Sequence, residues 1–125
     1  MIVADVTLIS YFTMEGEHTP SALRVRRCDP DWVAPLLWES EFGNVLRRFV
    51  RGGAFDLDLA LAHLDVARDL VTGYAISISE ALRVASKSGC SVYDAQYASL
   101  ALQLDIPLVT HNRQLLAAFQ GVATH

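Results

Sequence analysis

Short apolar segments alternate with longer amphipathic ones along almost the whole chain, and this alternation constrains the fold more than any other feature. Buried strands are predicted at 1–4, 32–34 and 107–110, and residues 74–78 form either a strand or an extended connection. Helices are predicted at 6–13, 20–27, 35–51, 56–71, 79–87, 92–104 and 113–119. This order is typical of a mainly parallel sheet covered on both faces. The sequence therefore predicts an α/β protein, a three-layer α/β/α sandwich with a short, mainly parallel central sheet.

Three of these helices carry more detailed expectations. Pro35 suits the first turn of the helix at 35–51, because a helix needs no N–H donor there. The helix at 56–71 is predicted to turn its regularly spaced apolar side chains inward. These are Leu57, Leu61, Leu64 and Val71. Ser79 is the expected cap of the helix at 79–87, which Gly89 ends.

The length of 125 residues suits one domain, 1–125, with a single hydrophobic core. The longest stretch without Asp, Glu, Lys or Arg is 114–125, which is shorter than the ~20 apolar residues that span a bilayer. The apolar N-terminal segment lacks a basic region and contains Asp5, so it does not resemble a signal peptide. The two cysteines have no metal-binding or redox spacing. We therefore expect a cytoplasmic protein with reduced thiols.

The charge distribution leaves two interpretations open. A formal net charge of −4 argues against nucleic-acid binding through bulk positive charge. Six arginines nevertheless occur in two clusters, Arg24, Arg26 and Arg27 followed by Arg47, Arg48 and Arg51. Guanidinium groups bind phosphate bidentately, so these clusters form either a track for phosphates or solvated helix faces paired with acidic residues.

Four oxygen-bearing side chains are candidates for a functional site. Asp5 and Asn112 follow predicted strands, Asp94 lies near a helix start, and Glu41 lies within the helix at 35–51. Because the carboxyl ends of parallel strands form the usual ligand-binding edge, we expect these residues to converge there. Burying several carboxylates together costs several kcal/mol unless a positive charge lies between them. A divalent cation, Mg²⁺ or Mn²⁺, is the simplest candidate.

Each of these residues also has a purely structural interpretation. Asp5 is placed to cap the helix that follows it, and Asn112 directly precedes Arg-Gln-Leu-Leu, which makes it an N-cap candidate too. Glu41 is alternatively a surface charge, and Asp94 alternatively interacts only with a helix dipole. For Asp5, capping and metal ligation are compatible, so a capping role does not exclude it from a site.

Four segments in chain order resemble the PIN domain, and within it the VapC-like toxin ribonucleases of bacterial toxin-antitoxin pairs. They are Ile-Val-Ala-Asp-Val-Thr at 2–7, Pro-x5-Glu-x2-Asn-Val-Leu-Arg-Arg at 35–48, Tyr-Asp-Ala-x-Tyr at 93–97 and Leu-Val-Thr-His-Asn at 108–112. The resemblance implies an α/β/α endoribonuclease in which Asp5, Glu41 and Asp94 hold Mg²⁺ or Mn²⁺. It also implies supporting roles for Thr7, Asn44 and Thr110. The expected partners are an RNA substrate, a cognate antitoxin and a second copy of the chain, with Tyr11, Phe12 and Trp38 as candidate contact residues.

The chain departs from the family pattern at Asn112, where the family usually has an acid. An amide oxygen still ligates a metal or holds a water, but the site loses one negative charge, which weakens a second divalent ion most. A catalytically weakened domain that binds RNA or protein is therefore the alternative function. A phosphoacceptor signalling domain fits poorly, because it needs a lysine after a late strand and Lys87 is the only lysine.

Overall fold

The computed structural model describes residues 1–119 and 123–124, in which five strands alternate with seven helices. The strands are β1 (Ile2–Ala4), β2 (Trp32–Pro35), β3 (Val71–Tyr74), β4 (Leu108–Val109) and β5 (Ala123–Thr124). The helices are α1 (Val6–Thr13), α2 (Thr19–Cys28), α3 (Trp38–Arg51), α4 (Leu57–Leu70), α5 (Ile78–Ser88), α6 (Val92–Leu104) and α7 (Arg113–Ala118). None of the described helices is long and apolar enough to cross a membrane.

The described strands form one parallel sheet in the order β3-β2-β1-β4-β5. Val3 of the central strand lies opposite Val33 on one side and Leu108 on the other. The chain moves outward from β1 to β3 and then returns to the other side of β1. Because parallel crossovers are right-handed, this reversal places α1 to α4 on one face and α5 to α7 on the other. The predicted three-layer sandwich with a parallel central sheet is confirmed.

The core lies where β1, β2 and α6 meet. All residues of β1 and β2 are buried, as their continuous apolar sequences predict for strands covered on both faces. Trp32, Phe42 and Leu100 are among the largest fully buried side chains. Helix α6 is buried in its central part, where its small residues bring its backbone close to the sheet. This packing holds the carboxyl edge of the sheet in a fixed position.

The long third helix begins later than predicted, because Pro35 is the last residue of β2 rather than the first turn of a helix. A proline in an interior strand normally removes a ladder hydrogen bond. Here β1 pairs only with the first part of β2, through Trp32 and Val33, so Pro35 needs no donor on that side. On the other side Leu36 supplies the next N–H, which donates to the carbonyl of Tyr74 at 2.9 Å.

The inward face of α4 was predicted partly wrongly. Leu57 and Leu61 are 63% and 50% exposed, whereas Leu64 packs partly buried against the core. Alanines on a neighbouring stripe, Ala60 and Ala67, are buried instead. Because alanine side chains are small, they let α4 pack closely against the rest of the protein, which explains why the alanine stripe faces inward. The predicted inward residue Val71 is buried, but it begins β3 rather than ending the helix.

Three smaller predictions about the elements also differ from the structure. The cap of α5 is Ser77, whose hydroxyl accepts a hydrogen bond from the Glu80 N–H, so Ser79 lies inside the helix. Gly89 ends the helix as predicted, with a left-handed backbone at φ 78°. Helix α7 ends at Ala118, one residue earlier than predicted, and β5 was not predicted.

The aromatic residues predicted for an interface are not equally available. Trp38 is only 4% exposed and packs near Phe42 in the core, so the prediction that it lies at an interface is wrong. Phe12 is half-buried and makes an edge contact with Trp32, and Tyr11 is half-buried too. The homodimer itself stays a prediction.

Candidate active site

The carboxyl edge of the central strands brings together the four residues singled out in the sequence. Asp5 directly follows β1, and its backbone N–H donates to the carbonyl of Val109 in β4. Asn112 follows β4, while Glu41 and Asp94 lie in the first turns of α3 and α6. Contacts among these residues and their immediate neighbours define the candidate site.

Asp5 is the buried centre of this site, with only 8% of its surface exposed. Its Oδ1 accepts a hydrogen bond of 2.9 Å from the N–H of Leu8, so Asp5 caps α1 as the structural interpretation predicts. Its Oδ2 accepts a hydrogen bond from the hydroxyl of Thr110, which is itself fully buried. Capping therefore accounts for one carboxylate oxygen, and Thr110 orients the other.

Asn112 connects two parts of the site. Its Oδ1 accepts from the N–H of Leu115 at 3.2 Å, which caps α7, and its Nδ2 donates to Oδ2 of Asp94 at 3.2 Å. The backbone N–H of Asn112 also donates to the hydroxyl of Thr110 at 3.0 Å. A chain of hydrogen bonds therefore runs from Asp5 through Thr110 and Asn112 to Asp94. Asn112 is both a helix cap and a neighbour of the acids.

Glu41 is held by a residue to which the sequence analysis gave no role. The hydroxyl of Tyr97, a side chain that is 3% exposed, donates to Oε1 of Glu41 at 2.6 Å. Tyr97 lies three residues after Asp94 on α6, so both side chains share a helix face. The Tyr-Asp-Ala-x-Tyr segment contained part of this signal, because its spacing places Tyr97 beside Asp94.

The two other proposed supporting residues make no hydrogen bond to the acids within the described part of the chain. Thr7 is half-buried and lines a cavity beside α1. Asn44 shares α3 with Glu41 but is exposed. Of the four supporting residues, the structure therefore brings Thr110 and Asn112 into contact with the carboxylates.

Burial perturbs the protonation of the site. It raises the pKa of Asp5, although hydrogen bonds from Thr110 and Leu8 and the nearby His111 oppose this effect. Burial also raises the pKa of Glu41, which the hydrogen bond from Tyr97 opposes and the charges of Asp94 and Asp5 reinforce. The pKa of Tyr97 is raised by burial and by the same acids. Asp5, Glu41 and Asp94 thus repel one another electrostatically, and a cation near them would relieve that repulsion.

The donor set suits a hard cation that keeps part of its water shell. Carboxylate and amide oxygens are the ligands that Mg²⁺ and Mn²⁺ prefer. Within residues 1–119 and 123–124, no three His, Cys, Asp or Glu side chains are close enough together to hold an ion directly. Mg²⁺ is often bound through only one or two carboxylates and several waters, so the site fits an ion held partly through water.

The raised pKa of Asp5 gives a stability prediction for the metal-free protein. Because the folded state binds the proton more tightly than the unfolded chain, the stabilisation is complete below the ordinary aspartate pKa of 3.8 and is lost as the pH rises through the raised pKa. We expect the free energy of unfolding by urea in EDTA to fall over this range in the wild type, and to fall less in Asp5→Asn. Asp58→Asn, at an exposed position on α4, serves as the control. Parallel profiles for Asp5→Asn and the wild type would contradict the prediction.

Comparison with known proteins adds two relatives, while no family model matches the chain. Exonuclease VapC9 of Pyrobaculum aerophilum is 35% identical over 85 residues, which cover 65% of this chain and 62% of that protein. Ribonuclease VapC3 of the same organism is 28% identical over 128 residues, which cover 98% of each chain. The match thus spans less than two thirds of VapC9 and nearly all of VapC3.

Two solved structures have a similar fold. The crystal structure of PAE2754 from Pyrobaculum aerophilum has a TM-score of 0.75 and 28% identity, with 98% of this chain and 90% of that chain covered. A toxin-antitoxin complex from Klebsiella pneumoniae has a TM-score of 0.71 and 15% identity, with 100% of this chain and 97% of that chain covered. At 15% identity the second likeness concerns the fold alone. The chain is therefore similar in sequence to two proteins named VapC and shares its α/β fold with both solved structures.

Proposed function

We propose that this chain is a PIN-type, metal-dependent endoribonuclease, the toxin of a toxin-antitoxin pair whose cognate antitoxin inhibits it. The observation that carries the proposal is the convergence of Asp5, Glu41 and Asp94 at the carboxyl edge of the sheet, where the charges of Asp94 and Asp5 help to raise the pKa of Glu41. A set of mutually repelling acids in a buried place is a functional-site candidate with a physical reason. The sequence likeness to Ribonuclease VapC3 supports the choice of RNA as substrate.

Asp5, Glu41 and Asp94 would hold Mg²⁺ or Mn²⁺, in part through water, while Asn112 keeps its oxygen on the Leu115 N–H and its nitrogen on Asp94. Such an ion would lower the pKa of a bound water and would place positive charge next to the phosphate. Thr110 and Tyr97 orient the carboxylates of Asp5 and Glu41. The protein's own contribution is therefore to fix the acids in place before substrate binds.

The arginine clusters provide a second line of support for a nucleic-acid substrate. Within the described residues, all the ion pairs of arginine involve Arg68 and Arg83, so neither cluster is paired with a carboxylate. Five of the six clustered arginines are exposed, and Arg26 is half-buried. The alternative of solvated helix faces paired with acids is therefore less favoured. Unpaired guanidinium groups on an acidic protein suit binding of phosphates.

The test of the proposal separates endonuclease from exonuclease activity, because one relative is named an exonuclease and the other a ribonuclease. Purified protein is incubated with a circular RNA and with the same RNA in linear form, with Mg²⁺, Mn²⁺ or EDTA. We expect both forms to be cut with either metal and neither with EDTA. Cutting of the linear form alone would assign an exonuclease, and no metal-dependent cutting of either form would overturn the proposal.

Tyr97→Phe tests the positioning of Glu41. The variant removes the hydroxyl that donates to Glu41 but keeps the buried ring. A hydrogen bond to a charged group contributes about 1.5–3 kcal/mol, so we expect roughly tenfold slower RNA cleavage at saturating Mg²⁺. Tyr93→Phe is the matched control, because Tyr93 lies on the same helix with 66% exposure. Equal rates for the two variants would show that the Tyr97 hydroxyl does not support the site.

A second candidate function is a domain that binds RNA or protein with little or no catalysis. The contacts of Asn112 favour it, because this amide occupies the position of an acid and hydrogen-bonds Asp94 instead of adding charge. Titration with Mn²⁺ distinguishes the candidates. A weakened site should bind Mn²⁺ feebly, while RNA binding in EDTA persists.

A further inference from the structure

A large cavity lies beside the candidate active site, between α1, α3 and the segments that join α1 to α2 and α3 to α4. Its volume is about 750 Å³. Thr7 and Tyr11 of α1 line one side, and Arg48 of α3 lines another. Arg48 lies two helical turns after Glu41 on α3, so the cavity extends away from the acids along this helix. The proposed catalytic residues do not line it.

Three rings form a cluster at the end of this cavity near the acids. Tyr11 and His18 are stacked, with ring centroids 4.4 Å apart and an angle of 21° between the ring planes. His111 contacts Tyr11 edge-on at 5.4 Å and lies 6.1 Å from His18. Both histidines are exposed, whereas Tyr11 is half-buried. The cluster therefore has a half-buried inner ring and two accessible outer rings.

The chain connects this cluster directly to the site. His111 lies between Thr110, which hydrogen-bonds Asp5, and Asn112, which hydrogen-bonds Asp94. Tyr11 belongs to α1, the helix that Asp5 caps. An RNA strand that places one phosphate at the acids would therefore bring the neighbouring nucleotide to the three rings.

We propose that Tyr11, His18 and His111 form a base-stacking subsite for the nucleotide next to the scissile phosphate, an inference that rests on the proposed ribonuclease function. Every nucleobase has an aromatic face, so such a platform binds bases with little sequence preference. The unpaired Arg48 in the same cavity suits the following phosphate. Glu15 and Glu17 also line the cavity near His18 and repel phosphate, which favours a base at this end rather than backbone.

The test measures binding in EDTA, so that it does not depend on cleavage. The probes are a fluorescein-labelled oligoadenylate and an abasic ribose-phosphate oligomer of the same length, at one fixed salt concentration. The variants are His18→Ala and Tyr11→Leu, the second of which keeps apolar volume in the helix. His63→Ala is the matched control, because His63 lines the far end of the cavity against Phe55.

We expect oligoadenylate to bind about tenfold more weakly to His18→Ala and Tyr11→Leu, with abasic oligomer binding unchanged and His63→Ala equal to the wild type. Equal losses of affinity for both probes, or no loss of affinity with either variant, would overturn the proposal of a base-stacking subsite. The cavity would then be a candidate site for a protein segment. Absence of any oligoadenylate binding by the wild type would overturn it as well. A wild type that cuts no RNA but shows the expected pattern would remove the proposed function and leave the subsite standing.

Discussion

Replacement of any one of the three acids by its amide is expected to reduce RNA cleavage at saturating Mg²⁺ by on the order of 100-fold or more. The variants are Asp5→Asn, Glu41→Gln and Asp94→Asn. Each removes one negative charge from the set of converging acids, while keeping nearly the same side-chain shape. Cleavage rates of the purified variants with Mg²⁺ and with Mn²⁺ provide the measurement.

The amide variants are preferable to alanine because Asp5 also has structural contacts. Asp5→Ala would remove the cap of α1, which contributes about 1 kcal/mol, whereas Asp5→Asn keeps an acceptor oxygen for the Leu8 N–H. Glu39→Gln is a matched control for Glu41→Gln, because Glu39 lies in the same first turn but pairs with Arg68. If one of the three amide variants cuts RNA at nearly the wild-type rate, its assigned role in catalysis is wrong.

Asn112→Asp is expected to increase metal affinity. The new carboxylate would replace the amide that hydrogen-bonds Asp94 and would add a charge close to the proposed ion. At ~4 Å and an effective dielectric near 20, the gain is a few kcal/mol at most, reduced by desolvation and by repulsion among the acids. We expect Mn²⁺ to bind about tenfold more tightly in isothermal titration, and cleavage at limiting Mg²⁺ to increase.

The remaining contacts of residue 112 make this variant interpretable. Aspartate caps helices as well as asparagine, so the bond from the Leu115 N–H to Oδ1 should persist. In EDTA the variant should be no more stable than the wild type, because the donor to Asp94 is lost and four acids repel more than three. Asn112→Ser keeps a capping oxygen without adding charge, and it should not gain affinity. An unchanged Mn²⁺ isotherm for Asn112→Asp would show that residue 112 acts only as a cap.

Much of the fold was predictable because strong local signals agreed with the tertiary structure. Helix α1 follows Asp5 with the predicted bounds, and α6 starts at Val92 and ends at Leu104 as predicted. The predictions that failed concern a helix with two competing apolar faces and an element whose end depends on strand pairing. In α4 the leucine stripe and the alanine stripe are both apolar, and only packing decides which is buried. The sequence pattern places Pro35 at a helix start, and only its pairing with Tyr74 shows that it ends a strand.

The site was predictable in its residue types and less so in its contacts. The positions of Asp5 and Asn112 after strands follow from the general rule for parallel sheets. The bond from Tyr97 to Glu41 joins residues 56 positions apart, and sequence spacing cannot show such a contact. Asn112 caps α7 with its amide oxygen and reaches Asp94 with its nitrogen, so capping does not remove it from the site, and its role toward a metal stays a prediction.

The order of the strands divides the site between two halves of the chain. Asp5 and Glu41 come from the half that contains β1 to β3, whereas Asp94 and Asn112 come from the half that follows β3. A break in the exposed connection near Ala75 would therefore leave two of the four residues on each fragment. Neither fragment alone can assemble the acids. If the proposed function is right, metal binding and RNA cleavage would therefore report whether the two halves are docked.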